Sequence, residues 1–297
     1  MRRPPRTPRP ATAVADVIVY LDGRWLDESA AAIPVRDPGL LQAEAVFETA
    51  RLFEGGYFRL DRHLDRLEQS AAMLRIPLPP RTDLRAVAFE LARRNALRDG
   101  SFRVTVTRGV GDTPLVLATL APVANAWTER ARRGWSLITA RTRTPPPDVV
   151  PPALKATGRP WALLARREAA DAAVDDALLL TTNGAIAEGP AWNIFWRHGD
   201  TLCTPALETG ILDGVTRTEV LALAGALGLD TEEAIYGRDA LDHADEIIAT
   251  MTSVGPVNIT ALDGRRLPEP VFGPRLRAAY WQLVAASVER PAGTERA

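Results

Sequence analysis

Three features of the chain predict an α+β fold in two domains. Residues 46–53 and 57–60 are rich in apolar and aromatic side chains and are separated by Glu54-Gly55-Gly56, the signature of a tight hairpin. Residues 101–107 alternate Phe102, Val104 and Val106 with Arg103, Thr105 and Thr107, the period of a half-buried strand, with residues 114–120 as partner across Gly109-Val110-Gly111-Asp112. Two helical stretches lie between those pairs, so the first domain reads as a mostly antiparallel sheet with two helices.

In order, residues 1–15 carry four arginines and four prolines without apolar periodicity and read as a disordered basic tail. The N-terminal domain is expected over residues 16–124. It opens with a strand at residues 17–20, turns at 21–24 and again where Asp37 and Gly39 flank Pro38. After the hairpin, Asp61 is placed to cap a helix whose apolar stripe is Leu64, Leu67, Ala71 and Leu74, with Arg62, Asp65, Arg66 and Glu68 off it. A second helix is expected over residues 82–97. The arginine-rich stretch 125–133 is the expected interdomain linker, and residues 134–297 the C-terminal domain. There, strands are expected at 135–140, 177–181, 193–196 and 246–250, and helices at 160–170, 216–227 and 274–286.

Composition narrows the partners. With 36 basic against 37 acidic residues and 46% hydrophobic content, the chain gives no reason to expect nucleic acid or an anionic membrane. The longest apolar run, residues 220–229, is too short to span a bilayer. One cysteine, Cys203, excludes an intrachain disulfide, and His63, His198 and His243 are too far apart in sequence to suggest a metal site. Small molecules are the expected ligands and a reducing cytoplasm the expected compartment.

Of the 36 basic residues a single one, Lys155, is lysine. An amine can lose its proton and condense with an aldehyde, whereas a guanidinium stays protonated. Alone, this fits either a catalytic amine or a chain poor in lysine whose last one sits on the surface. Thr216 and Glu219 form a capping-box pattern after Gly210-Ile211-Leu212-Asp213-Gly214, a helix start able to receive a phosphate but equally a plain cap. Residues 250–255 supply Thr250, Thr252 and Ser253 at a strand end, as donors or as an ordinary polar turn. Glu188 stands among apolar and glycine residues; buried, it needs a partner, either a protonated ring nitrogen or an arginine such as Arg217. Arg66 suits bidentate phosphate binding, or solvent. Together, an amine, a phosphate cradle, hydroxyls and a lone acid are the parts that bind pyridoxal phosphate.

These residues carry a family resemblance. Glu188-Gly189, Asn193-Ile194-Phe195, residues 202–205 and Gly210-Ile211-Leu212-x-Gly214-Val215-Thr216-Arg217, with Asp37-x-Gly39, Phe47-Glu48-Thr49, His63-Leu64-x-Arg66-Leu67, Thr107-Arg108-Gly109 and Leu262-Asp263-Gly264, resemble the class IV aminotransferases. These are the fold type IV pyridoxal phosphate enzymes, which include branched-chain and D-amino acid aminotransferases and aminodeoxychorismate lyase. The resemblance implies a larger barrel-like C-terminal domain, cofactor between the domains, and a homodimer. It implies that Lys155 is catalytic and holds pyridoxal 5'-phosphate as a Schiff base, that Glu188 faces the ring nitrogen, and that Arg66, Val215, Thr216 and Thr252 hold the phosphate. Ser253 falls where relatives bind the substrate carboxylate.

Departures concentrate around the substrate, whose pocket Gln42, Pro160 and Arg103 are expected to shape, with Gln42 a candidate substrate-binding residue. Gln42 and Ala43 replace a Tyr-Gly pair, Thr49 a glycine, Pro160 a tyrosine and Pro190 a small residue, and residues 109–114 lack an Arg-x-His. Arg103 either takes over carboxylate binding or reaches solvent. The implied activity is amino exchange between an amino acid and a 2-oxo acid. Lyase chemistry releasing pyruvate and a non-catalytic dimeric scaffold are the rivals.

Overall fold

The computed structural model describes residues 17–290; the basic tail expected at residues 1–15 lies outside them. The first sheet consists of β1 (Ile18–Leu21), β2 (Arg24–Asp27), β3 (Ala45–Phe53), β4 (Gly56–Phe58), β5 (Gly100–Thr107), β6 (Leu115–Ala121) and the late β15 (Val288–Glu289). It is antiparallel throughout, in the order β15-β4-β3-β5-β6-β1-β2. A one-turn helix α1 (Pro38–Leu41) precedes β3. Helices α2 (Leu60–Leu74) and α3 (Arg81–Arg94) cover the sheet, burying Leu64, Leu67 and Ala71 of α2 and Leu84, Ala88 and Leu91 of α3 against Phe102, Val104 and Val106. The expected apolar stripe is therefore the packing face.

The second sheet contains β7 (Trp135–Arg143), β8 (Asp176–Leu180), β9 (Asn193–His198), β10 (Thr201–Pro205), β11 (Asp230–Ala234), β12 (Glu246–Met251), β13 (Gly255–Leu262) and β14 (Arg265–Arg266). Its order is β11-β10-β9-β12-β13-β7-β8, with β14 attached to β13, and parallel and antiparallel pairs are mixed. The two edges approach each other. Leu180 bridges to Ile186, Ala185 bridges to Gly237 beyond β11, and the Ile186 N–H donates to the Tyr236 carbonyl at 2.8 Å. That contact closes the pseudo-barrel, whose interior is filled by Trp135, Trp192, Trp196 and aliphatic neighbours. Outside it, α5 (Pro160–Asp171) packs on β7 and β8, while α6 (Val215–Ala226) and α7 (Phe272–Ser287) cover Phe195 and Ile248.

The stretch read as a linker, residues 125–133, is helix α4 (Asn125–Arg133). Ala131 enters the barrel core and Trp127 meets Trp135 edge-on at 5.6 Å, leaving the arginines outward. After α7 the chain returns to the first sheet, where Val288 pairs with Phe58. The range read as C-terminal domain thus lends its last strand to the N-terminal sheet.

Two helix starts differ from expectation. Asp61 does not cap α2; Arg59 holds the N-cap position with φ 52°, because β4 runs to Phe58 and leaves one residue for the turn. The Thr216/Glu219 box does not form either. Gly214 is the N-cap of α6, and Glu219 is taken by Arg59, whose Nε and Nη2 donate to it at 2.8 and 3.0 Å. This pair ties α2 to α6. Replacing Arg59 by Met leaves the Glu219 side chain, 9% exposed, with Arg62 at 3.6 Å as its remaining cation among the described residues. We expect a loss of about 1–3 kcal/mol in urea unfolding at constant m-value, and a smaller loss for Glu219→Gln. An unchanged midpoint in Arg59→Met would show that the pair does not hold the helices together.

Candidate active site

The loop between β7 and α5 is pinned to the first sheet. β4 is so short that it covers only the Arg51–Phe53 end of β3, and the start of β3 has a free edge on that side. Lys155 and its neighbours take that edge: the Phe47 N–H donates to the Lys155 carbonyl at 3.1 Å, the Thr157 N–H to the Ala45 carbonyl at 3.0 Å, and Val46 bridges to Ala156. From the other side Ser70 of α2 accepts from the Lys155 N–H at 3.0 Å and donates to the Ala153 carbonyl at 3.3 Å. Gly158 is needed for the close approach, since a Cβ there would lie 2.9 Å from that of Ala43.

The lysine amine lines a cavity of about 390 Å³ between the two sheets. Lys155 is half-buried, and the packing around it decides its chemistry: burial outweighs the attraction of Glu48 and, with Arg66 and Arg159 nearby, pushes the amine down to about 7. A fair fraction is then the free nucleophile at neutral pH. Its Nζ stands 5.0 Å from the centroid of the Phe47 ring.

Arg66 lies off the apolar stripe of α2, yet it is buried. Its Nε and Nη2 donate to Glu48 at 2.6 and 3.0 Å, and its Nη1 to the Asp213 carbonyl at 2.7 Å, just before α6. His63 Nδ1 lies 2.9 Å from the same carboxylate. Burial acts to raise Glu48, but Arg66, Lys155 and the hydrogen bonds from His63 and Arg66 outweigh it and hold the carboxyl well below the usual range. Burial likewise pushes the His63 imidazole down against the pull of Glu48.

Glu188 follows the segment that closes the barrel. Its Oε2 accepts from the Leu212 N–H at 3.0 Å and from Asn193 Nδ2 at 3.3 Å, and its Oε1 from Arg159 Nη2 at 3.0 Å. Burial pushes its carboxyl up, with Arg159 the chief opposing charge. Arg217, the alternative partner, is elsewhere: it donates to the Pro205 carbonyl at 3.0 Å and to Glu233. Gly189 has no room for a side chain, because a Cβ would fall 1.9 Å from the Trp192 ring. Asn193 also donates to the Leu212 carbonyl at 2.9 Å and sits so close to Gly214 that a Cβ there would lie 2.1 Å from its Oδ1.

Lys155, Arg66, Glu188, Val215, Thr216, Thr252, Arg103 and Ser253 all line the cavity. Gln42 is not brought there; it is an exposed residue at the end of α1, its N–H donating to the Pro38 carbonyl at 2.8 Å. Arg103 does not run out to solvent as a free strand arginine: its guanidinium stacks 3.8 Å from the Phe47 centroid and its Nε donates to Thr105 at 3.3 Å. Three lining or supporting residues went unassigned in the sequence: Glu48, Asn193 and Arg159. Glu48 and Asn193 lie inside quoted motifs, and an acid in the middle of a buried strand is a signal for the first.

Pyridoxal phosphate fits this donor set. The cavity lined by Lys155 is also lined by Gly214, Val215 and Thr216 at the start of α6, which no side chain caps. Thr250 lines the same cavity with its Oγ1 buried and without a hydrogen-bond partner among the described residues, a donor suited to a polar ligand.

Comparison with known proteins agrees. The family model described as amino-transferase class IV matches residues 45–262. A Methanocaldococcus jannaschii protein, provisionally named a branched-chain-amino-acid aminotransferase, is 36% identical over 257 residues, covering 83% of this chain and 88% of its own. The aminodeoxychorismate lyase of Bacillus subtilis is 31% identical over 257 residues, covering 83% and 87%. A hypothetical aminotransferase from Mycobacterium tuberculosis, solved in its pyridoxal phosphate-bound form, superposes with a TM-score of 0.83 at 26% identity over 91% of this chain and 99% of that one. The chain therefore belongs to the class IV aminotransferases, pyridoxal phosphate-dependent enzymes of fold type IV.

Proposed function

We propose that the cavity exchanges an amino group between an amino acid and a 2-oxo acid, with Lys155 as the residue that holds the cofactor and moves the substrate proton. The observation that carries this is the single lysine of the chain, pinned between the sheets with its amine pushed down to about 7 in a cavity that also holds Glu188 and the start of α6. Bound pyridoxal phosphate supplies an electron sink for charge developing at the substrate Cα. Arg66, the Val215 and Thr216 N–H groups and Thr252 bind the phosphate, and Glu188 accepts the ring nitrogen's proton as a hydrogen bond. Lys155 takes the proton from Cα and returns it. Arg103, partly desolvated and stacked on Phe47, and Ser253 are the groups for the substrate carboxylate; among the described residues no acidic side chain forms an ion pair with Arg103.

The same site supports a second reading, aminodeoxychorismate lyase chemistry with release of pyruvate, favoured by the likeness to the Bacillus subtilis enzyme. A homodimer is the assembly we infer. Leu40 and Leu41 of α1 and Leu163 and Leu164 of α5 are 48–64% exposed, apolar surface beside the cavity that a second copy would cover, and Gln42 at the end of α1 would then lie at the interface. No described helix is long and apolar enough to cross a membrane, and a cytoplasmic location is our reading.

Borohydride treatment of the protein incubated with pyridoxal phosphate should place the added mass on the peptide containing Lys155, and Lys155→Ala should lose about 10²–10⁴-fold in turnover. No labelling of Lys155 would support a scaffold instead. Supplied with an amino donor and a 2-oxo acceptor, the enzyme should form new amino acid in step with donor consumed; pyruvate released from aminodeoxychorismate without an acceptor would select the lyase. In sedimentation equilibrium the protein should behave as twice 32.2 kDa, and Leu41→Asp combined with Leu163→Asp should shift it to the single-chain mass.

A further inference from the structure

Arg159 has no counterpart in the roles assigned above, yet it is the side chain closest to the working end of Glu188. It occupies the N-cap position of α5, its guanidinium lies 5.9 Å from the centroid of Trp161, and its side chain is 17% exposed. A carboxylate offers about four acceptor sites, two on each oxygen. On Glu188, Oε2 is filled by the Leu212 N–H and Asn193 Nδ2, and Oε1 already takes Arg159 Nη2 at 3.0 Å. A ring nitrogen bound by Glu188 is left with the remaining site on Oε1, beside a guanidinium.

We propose that Arg159 is a positioning residue that shares Glu188 with the ring nitrogen of the cofactor, so that this nitrogen meets a carboxylate already half neutralised. The inference rests on the assignment of Glu188 to the ring nitrogen. Arg159 then has two opposed effects. It favours the ionised form of Glu188 against the upward push of burial, and its positive charge sits next to the site where the nitrogen would be protonated, which lowers the nitrogen's hold on its proton. The other groups around Glu188 are Lys155 from the β7–α5 loop, Asn193 from β9 and the Leu212 N–H before α6. Arg166 also faces the cavity, but among the described residues Glu188 pairs with Arg159 and not with it, so its charge acts only diffusely.

The test uses full-length protein loaded with pyridoxal phosphate labelled with 15N in the ring, and follows the ring nitrogen by NMR against pH. In Arg159→Gln the deprotonation midpoint of the nitrogen should rise by about 1–3 pH units relative to wild type; Arg159→Lys, which retains the charge, should return most of the way; Arg166→Gln should move it by much less. A midpoint that Arg159→Gln leaves in place, or that Arg166→Gln moves as far, overturns the sharing of Glu188 while leaving the function intact. If wild-type protein takes up the labelled cofactor at no site involving Lys155, the proposed function falls and this inference with it. Should Arg159→Gln fail to load, Arg159→Lys and Arg159→Met carry the same comparison, with Met expected to raise the midpoint and Lys not.

Discussion

The arrangement depends on one backbone pairing. Lys155 and its neighbours complete the free edge of β3, and this places the sole lysine at the junction of two sheets whose largest apolar clusters are distinct and which meet again where Phe58 packs on Tyr280 and Val284 of α7. The hydrogen bonds to β3 are main-chain ones, made possible by the shortness of β4, and Ser70 of α2 adds a side-chain hold on the Lys155 N–H. Had β4 run about four residues longer in the same register, it would reach Phe47 and occupy that edge. Of the residues the site needs from the first domain, Phe47 lies on the strand that receives the loop, Arg66 on the helix packed over it and Arg103 on the neighbouring strand β5.

The charges follow from that junction. The amine, Arg66, Arg103 and Arg159 converge on a space where Glu48 and Glu188 are the nearest acids, and each acid is committed: Glu48 to Arg66 and His63, Glu188 to Arg159 and the α6 loop. Burial disfavours every charged group, and paired ions tolerate it better than single ones. Among the described residues Lys155 has no carboxylate in direct contact, so it answers burial by giving up its proton more readily. Positive charge left over in such a cavity suits ligands that bring phosphate and carboxylate groups with them.

Much of this was legible in the sequence, for identifiable reasons. Amphipathic α2, the β3–β4 hairpin and alternating β5 announce themselves because a sheet covered on one face imposes a period of two on strands and nearly four on helices. Asp230–Ala234 has no such period: β11 is an exposed, acidic edge strand paired in parallel to β10, and side chains there report solvent, not partners. Residues 125–133 look like a linker because α4 buries little more than Ala131. The candidate site was readable as a set of residues, since the sole lysine, a lone acid at Glu188 and the helix start in the 210–219 loop are parts that suit one ligand. Its pairings were not. The choice of Arg159 over Arg217 for Glu188, and of Arg59 over the backbone N–H of a capping box for Glu219, depends on which elements cross in space, and Gln42, expected at the pocket, is exposed at the end of α1.

Burial at the sheet junction prepares the Lys155 amine for condensation. Because the chain has one lysine, protein made with lysine labelled by 13C at Cε gives a single resonance, and its titration in the cofactor-free protein reads the amine directly. A midpoint near 7, with the amine neutral above it, is expected; a midpoint near the ordinary 10.5 would show that burial leaves the amine unprepared.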